Sequence, residues 1–130
     1  MRSTGSKRTC LVADSAVDEL RAKLGAALRD ALRARDSRAI NALRSLMSAI
    51  ANAEAVDDIS ERIVSPRIGV GSGDVPRRQL SAHDVIAIAE HEIAERLLAA
   101  AEYDRLGRAD QAAALRDQAA VLRRFLEGST

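Results

Sequence analysis

The sequence predicts an all-α fold, a four-helix domain of two antiparallel helix pairs joined by a long loop. Apolar residues recur at three- and four-residue steps in four separate stretches, and this spacing places them on one face of a helix. Hydrophobic residues make up 47% of the chain, but only Tyr103 and Phe125 are aromatic, so we expect a core of Leu, Ile, Val and Ala. A length of 130 residues suits a single domain with one core.

Helix one is predicted to follow a polar, basic segment, residues 1–13, that we expect to be disordered. Asp14 or Ser15 offers an N-cap, and Asp18 and Glu19 suit the first turn because the helix dipole favours negative charge there. Gly25 either weakens the middle of this helix or marks a close helix crossing. The predicted buried stripe consists of Val17, Leu20, Leu24, Leu28, Ala31 and Leu32.

Helix two is the element around which the other three are expected to pack. Asp36 or Ser37 is well placed to cap it, directly after the interruption that ends helix one. A turn this short makes the two helices antiparallel neighbours. Helix two is predicted to end near Ala55. Its stripe consists of Ile40, Leu43, Leu46, Met47 and Ile50.

A long polar connection, residues 57–80, separates the two helix pairs, and its proline and glycine residues oppose regular helix. Ser81 and Asp84 then form a predicted capping box for helix three, which extends to about Leu106. Gly107 suits the left-handed conformation that ends a helix, and Asp110 lies in the first turn of helix four. The helical domain is thus expected at residues 14–127, with a tail at 128–130. The predicted buried residues are Val85, Ile86, Ile88, Ala89, Ile93 and Leu97 in helix three and Leu115, Ala119, Leu122, Phe125 and Leu126 in helix four.

The composition excludes several classes of protein. The net charge is +1 and the signs are mixed, so the chain lacks the basic stripe of a protein that binds nucleic acid unaided. The acidic excess lies in helix three. Cys10 is the only cysteine, which excludes an internal disulfide and a multi-cysteine zinc site. Because no apolar stretch suits a signal peptide or a membrane span, we expect a cytoplasmic protein without membrane contact.

Two patterns resemble ligand sites but have simpler interpretations. His91 and Glu95 are four residues apart and could present an imidazole and a carboxylate to a metal, but no matching motif on another helix completes the site. A solvated acidic face is preferred. The connection contains a G-x-G-x-G run without a P-loop lysine or a following helix start, so a flexible turn is preferred to a phosphate cradle. No metal or cofactor is predicted. The glycines of this run are Gly69, Gly71 and Gly73.

Candidate nucleophiles lack a base. Cys10 lies in the N-terminal segment, where nothing in the sequence predicts a lowered pKa. Ser45 and Ser48 lie within helix two, whereas His83 and His91 are on another helix, so no hydrolytic triad is predicted.

A group of arginines near the turn between helices one and two could contact phosphates. The alternative is that such arginines pair with carboxylates one turn away, as Asp30 can with Arg33. One tyrosine and one phenylalanine also provide almost no stacking platform for unpaired bases. The group consists of Arg29, Arg33, Arg35, Arg38 and Arg44, and Arg77 with Arg78 lie at the end of the connection.

The sequence of helix two resembles the signature LR-x-L-x-SAI-x-NAE of the GatB/YqeY family. The resemblance covers most of the chain outside the long connection, with Phe125-Leu126-Glu127 where the family usually has Tyr-Leu-Pro and Ala51 where a Lys is common. The matching residues are Ala42-Leu43-Arg44, Leu46, Ser48-Ala49-Ile50, Asn52-Ala53-Glu54, Ser81, Asp84, Val85, Glu92, Ile93, Glu95, Arg96, Ala100 to Tyr103, Gly107-Arg108, Asp110 and Leu122 to Leu126.

The resemblance implies a four-helix N-terminal part, similar to the C-terminal region of the B subunit of the glutamine-dependent tRNA amidotransferase. In that enzyme the end region is associated with recognition of the tRNA elbow, chiefly through a smaller second part that we expect to be missing here. The implied function is a non-catalytic accessory module that assists recognition of tRNA or of a protein that handles tRNA. The expected binding residues are Arg44, Asn52 and Glu54, together with Arg35, Arg38, Arg77 and Arg78.

Other interpretations remain open. Asn52 and Glu54 are equally suited to tying the end of helix two to the bundle. The protein could also be an interaction or self-association module, in which acidic helix three contacts a basic surface such as the corner between helices one and two. A carbon–nitrogen ligase activity, with glutamine as amido donor, is implied by kinship alone.

Overall fold

The computed structural model describes the backbone of residues 3–64 and 79–129 and the side chains of residues 16–55 and 79–128. Four helices follow one another, and the described residues form no strand, which confirms the all-α prediction. They are α1 (Ser3–Ala34), α2 (Ser37–Val64), α3 (Ala82–Arg105) and α4 (Ala109–Ser129). The short turns after α1 and α3 make each pair antiparallel.

The two helix pairs share one core, to which all four helices contribute. Leu46 and Leu122 are completely buried at its centre, and Leu43 and Ile50 are nearly so. The described residues contribute no buried polar or charged residue to this core. Burial of this apolar surface is the main force that holds the helices together. The remaining buried members are Leu20, Leu24, Ala31, Ala39, Ala42, Leu80, Val85, Ala89, Ile93 and Ala119.

The turn between α1 and α2 confirms Asp36 as a cap. Its carboxylate accepts a hydrogen bond from the Ala39 backbone N–H at 3.2 Å. Arg35 lies in the left-handed region with a φ of 55°, and the Asp36 N–H donates to the Ala31 carbonyl at 3.0 Å. This geometry reverses the chain within two residues.

The second hairpin also begins and turns as predicted. The Ser81 hydroxyl accepts from the Asp84 N–H at 3.1 Å, and the Asp84 carboxylate accepts from the Ser81 N–H at 3.0 Å. Gly107, with a φ of 76°, has the left-handed backbone that ends α3. Asp110 lies in the first turn of α4.

Three helix ends differ from the prediction. Helix α1 begins at Ser3, before the predicted N-cap at Asp14 or Ser15; the sequence ahead of that cap contains no proline to stop a helix from propagating backwards. Helix α2 continues past Ala55 to Val64, because the first residue hostile to a helix is Pro66, which also disfavours helical geometry at the residue before it. Helix α4 runs through the predicted tail to Ser129.

Three residues of the predicted stripes are exposed instead of buried. Leu32 is 44% exposed, Met47 42% and Leu97 37%. Each lies at the edge of its stripe, where helical spacing still points partly inward but no neighbouring helix covers the side chain. These edges are therefore surface features.

Gly25 does not mark a close helix crossing. A Cβ atom built on it would lie 3.6 Å from the Arg29 guanidinium, in ordinary van der Waals contact, and no atom of another helix in the described part of the chain lies within 4 Å of it. We expect Gly25→Ala to raise the free energy of unfolding by about 0.5 to 1 kcal/mol, because alanine has the higher helix propensity. Urea denaturation followed by circular dichroism measures this. A loss of stability would show that the site needs glycine.

No helix in the described parts of the chain is both long enough and apolar enough to cross a membrane.

Candidate functional site

The outer side of the α1–α2 hairpin combines exposed apolar and basic side chains. The ion pair between Arg21 and Glu54, at 2.6 Å, sets the antiparallel register of the two helices. Counting along both helices from this pair shows which residues of α1 and α2 lie at the same height along the hairpin. Four of them lie close together on the side away from the core. We call this surface the hairpin face; its members are Arg29, Leu32, Arg44 and Met47.

The hairpin face carries positive charge that no carboxylate of the described residues compensates. Within the described residues, the side chains of Arg29 and Arg44 form no ion pair or hydrogen bond, and both are exposed. Arg35, in the adjoining turn, is exposed and likewise has no carboxylate partner among them. A guanidinium without a partner keeps all its donors for a phosphate or carboxylate.

The other two arginines near the turn are already paired. Arg33 lies 3.5 Å from Asp30 on α1, with both groups largely exposed. Arg38 donates to Asp117 of α4, which links the start of α2 to the second hairpin. The structure thus separates the predicted group into three available cations and two engaged ones.

The remaining predicted binding residues do not form a single site with the hairpin face. Glu54 is only 16% exposed in its ion pair with Arg21, so its role here is to join α1 to α2. Asn52 is exposed, and its side chain forms no hydrogen bond within the described part of the chain. Arg77 and Arg78 lie outside the described residues.

An apolar groove opens beside Met47. It has a volume of about 260 Å³ and lies between α1 and α2, next to the Arg21–Glu54 pair. Exposed apolar surface next to a recess is a feature of binding sites rather than of a solvated helix face. The groove is lined by Arg21, Leu24, Met47, Ile50, Ala51 and Glu54.

A partly buried polar network between the helices, outside the apolar core, was not predicted from the sequence. Arg96 donates to the Glu92 carboxylate at 2.7 Å, and the two side chains are only 12% and 13% exposed. The same carboxylate accepts from the Ser45 hydroxyl of α2 at 3.0 Å. Arg96 also donates from Nε to the Gln118 side chain of α4 at 3.0 Å. One carboxylate and one guanidinium therefore join three helices.

This network explains Ser45 better than the hydrolytic alternative does. Its hydroxyl donates to a carboxylate that also accepts a hydrogen bond from Arg96, so Ser45 takes part in a contact that joins α2 to α3. One sequence signal could have revealed the network. Glu92 and Arg96 are four residues apart, the spacing of a helical ion pair, and the buried Ile93 lies between them in the sequence. The partners on α2 and α4 carry no such signal.

The other candidate chemistry stays on the surface or outside the described chain. His91 Nε2 lies 3.4 Å from a Glu95 oxygen, and both side chains are mostly exposed. Among the residues whose side chains are described, no three His, Cys, Asp or Glu side chains form a group that could hold a metal ion. The Gly69–Gly73 run lies outside the described residues, as does the side chain of Cys10.

Comparison with known proteins identifies a family. A family model described as Yqey-like protein matches residues 21–128, which spans all four helices. No curated protein matches the chain, and no solved structure does.

Proposed function

We propose, from the premise that the chain belongs to the Yqey-like protein family, that this protein is a non-catalytic accessory module that binds tRNA through its hairpin face. The supporting observation is the set of uncompensated guanidinium groups at one end of the α1–α2 hairpin. Three arginines there have no carboxylate partner within the described residues: Arg29, Arg35 and Arg44.

Uncompensated arginines suit a phosphate backbone. A guanidinium binds phosphate through two parallel hydrogen bonds, and each contact releases condensed counterions from the nucleic acid. Arg33 and Arg38 are worse candidates, because they would first have to leave their partners Asp30 and Asp117. The availability of the cation, not the number of arginines, distinguishes this surface.

Recognition by this surface would be of shape and charge. The chain has one tyrosine and one phenylalanine, so it cannot stack several unpaired bases. Phosphate contacts fix the position of a protein on RNA without reading its sequence. A folded RNA of defined backbone shape, such as a tRNA, is therefore a better ligand for it than an unstructured strand.

An accessory role fits the interior better than a catalytic one does. The polar side chains that converge between the helices, Ser45, Glu92, Arg96 and Gln118, bond to one another. A catalytic carboxylate needs reach to a substrate, whereas Glu92 is largely buried. A cytoplasmic location belongs to the same proposal.

A tRNA titration by mobility shift at several salt concentrations tests the proposal. We expect a complex at low salt whose affinity falls as salt rises. In a variant with Arg29, Arg35 and Arg44 all changed to Gln, the slope of log K against log salt should decrease by about two to three units, since each of the three lost phosphate contacts removes slightly less than one.

A matched control is Arg108, Arg123 and Arg124 changed to Gln. These arginines are also exposed and have no ion pair within the described residues, but they lie just before α4 and along it. The net charge of both variants is the same, so a general charge effect would weaken both equally. Equal weakening, or no complex with the wild type at low salt, would refute the hairpin face as the RNA site. If the protein binds a protein that handles tRNA but not tRNA itself, that protein is the partner.

A ligase activity remains a prediction from kinship alone. Isothermal titration with ATP and with glutamine tests it directly. Saturable binding of either compound would favour a catalytic role over the accessory one.

A further inference from the structure

Helix α3 presents an apolar face to solvent. Its inner side is buried through Val85, Ala89, Ile93 and Ala100. The opposite side has small or apolar residues at spacings of three, four and seven, which is the pattern of a helix that packs against another helix. Leu98, at its centre, is 73% exposed. We call this surface the α3 face; its members are Ala87, Ala94, Leu98 and Ala101, all exposed.

Uncompensated negative charge flanks the α3 face. Glu90 is exposed and forms no ion pair within the described residues. Among the described residues, Glu95 on the other side of Leu98 has only His91 as its partner, and a histidine compensates a carboxylate only when it is protonated. The α3 face is therefore apolar along its middle and negative at both edges.

The hairpin face has the opposite charge and a similar apolar content. Leu32 and Met47 are 44% and 42% exposed, and the cations Arg29 and Arg44 beside them are uncompensated within the described chain. We propose that the α3 face of one copy of this protein docks on the hairpin face of a second copy. Opposite charges would then meet around a contact of apolar side chains.

The groove beside Met47 provides a place for the exposed leucine. Its volume of about 260 Å³ exceeds the roughly 150 Å³ of an apolar cavity that accepts a benzene molecule. A leucine side chain is smaller than a benzene molecule. The groove therefore has room for Leu98 of one copy between Leu24, Ile50 and Ala51 of the next. The contact would bury Leu98 and Met47 together.

Charge decides which two surfaces meet. Pairing two α3 faces would bring Glu90 and Glu95 of both copies together, and pairing two hairpin faces would oppose Arg29 and Arg44; like charges at an interface are costly. The favourable contact joins two different surfaces. Such a contact closes into a ring or continues as an open chain. The assembly should therefore grow beyond a dimer as the concentration rises.

Sedimentation velocity over a range of protein concentrations, without RNA, tests the proposal. We expect wild-type protein to associate at low salt and to dissociate as salt is raised. An acidic variant, Arg29→Glu with Arg44→Glu, and a basic variant, Glu90→Arg with Glu95→Arg, should each associate about tenfold less tightly or worse, because each places like charges at the contact. An equimolar mixture of the two variants should associate again, since every contact in it can join opposite charges.

The matched control is Arg123→Glu with Arg124→Glu, a double charge reversal on the exposed side of α4 that should leave association unchanged. Leu98→Gln gives a second route to the result, because it removes the apolar side chain without changing charge, and it should also weaken association. Monomeric wild-type protein at all concentrations and salts would overturn the proposal. So would association that the charge reversals leave intact, or a mixture that stays monomeric. Because no RNA is present, failure here leaves the tRNA proposal to be judged by its own titration.

Discussion

Replacing Leu46 by alanine is expected to lower the free energy of unfolding by about 3 to 4 kcal/mol. Its side chain is completely buried in the middle of α2, within the core cluster that also contains Leu43, Val85 and Leu122. Deleting it removes buried apolar surface and leaves a cavity that the surrounding core residues can fill only in part. Urea denaturation followed by circular dichroism gives the free energy, and the slope of the unfolding curve shows whether the native state has kept its compactness.

Met47→Ala, one residue along the same helix, is the matched control for this core substitution. Leucine and methionine have nearly equal helix propensities, so both substitutions change propensity alike. Met47 is 42% exposed, and its loss should cost less than about 1 kcal/mol. Equal losses for the two variants would mean that α2 is not oriented as described.

Glu92→Ala is the second substitution with a large expected effect, about 3 kcal/mol of destabilisation. It leaves the Arg96 guanidinium, which is 12% exposed, without its carboxylate. It also leaves the Ser45 hydroxyl without its acceptor. A largely buried charge that loses its partner costs more than the pair contributed, because desolvation of the remaining charge is no longer offset.

The control for Glu92 is Glu102→Ala on the same helix. Glu102 pairs with Arg105, but the two side chains are 57% and 72% exposed, so its loss should cost less than about 0.5 kcal/mol. The double variant Glu92→Met with Arg96→Met should lose less stability than Glu92→Ala alone, since no charge is then left stranded. If Glu92→Ala and Glu102→Ala cost the same, the network contributes no more than a surface pair.

The two proposed interactions involve the same cations. Arg29 and Arg44 would contact phosphates in one and the α3 face of a second copy in the other. If both hold, added tRNA should dissociate the assembly, because one guanidinium cannot serve both partners at full strength. The basic variant Glu90→Arg with Glu95→Arg separates the two, since it alters only the α3 face and leaves the arginines of the hairpin face unchanged.

Local signals were sufficient for most of the fold. Helical spacing identified four helices and the buried residues Leu43, Leu46 and Ile50. Capping chemistry placed Asp36 and the Ser81–Asp84 box, and the need for a left-handed backbone placed Gly107. Each of these depends on residues within one or two turns of each other. The same local logic gave the wrong ends for α1 and α2, because extension of a helix depends on what stops it as well as on what starts it.

The candidate surfaces required contacts between distant parts of the chain. Whether an arginine is available depends on a carboxylate elsewhere, as Arg38 shows by pairing with Asp117, 79 residues away. The Glu92 network likewise joins Ser45, 47 residues earlier, to α3. Helical spacing gives the direction in which a side chain extends from the axis of its own helix. It does not show which other helix, if any, lies in that direction. The sequence by itself therefore determined the helices, their caps and the centre of the core, whereas only the tertiary structure decided which edge residues face water and which charges remain unpaired.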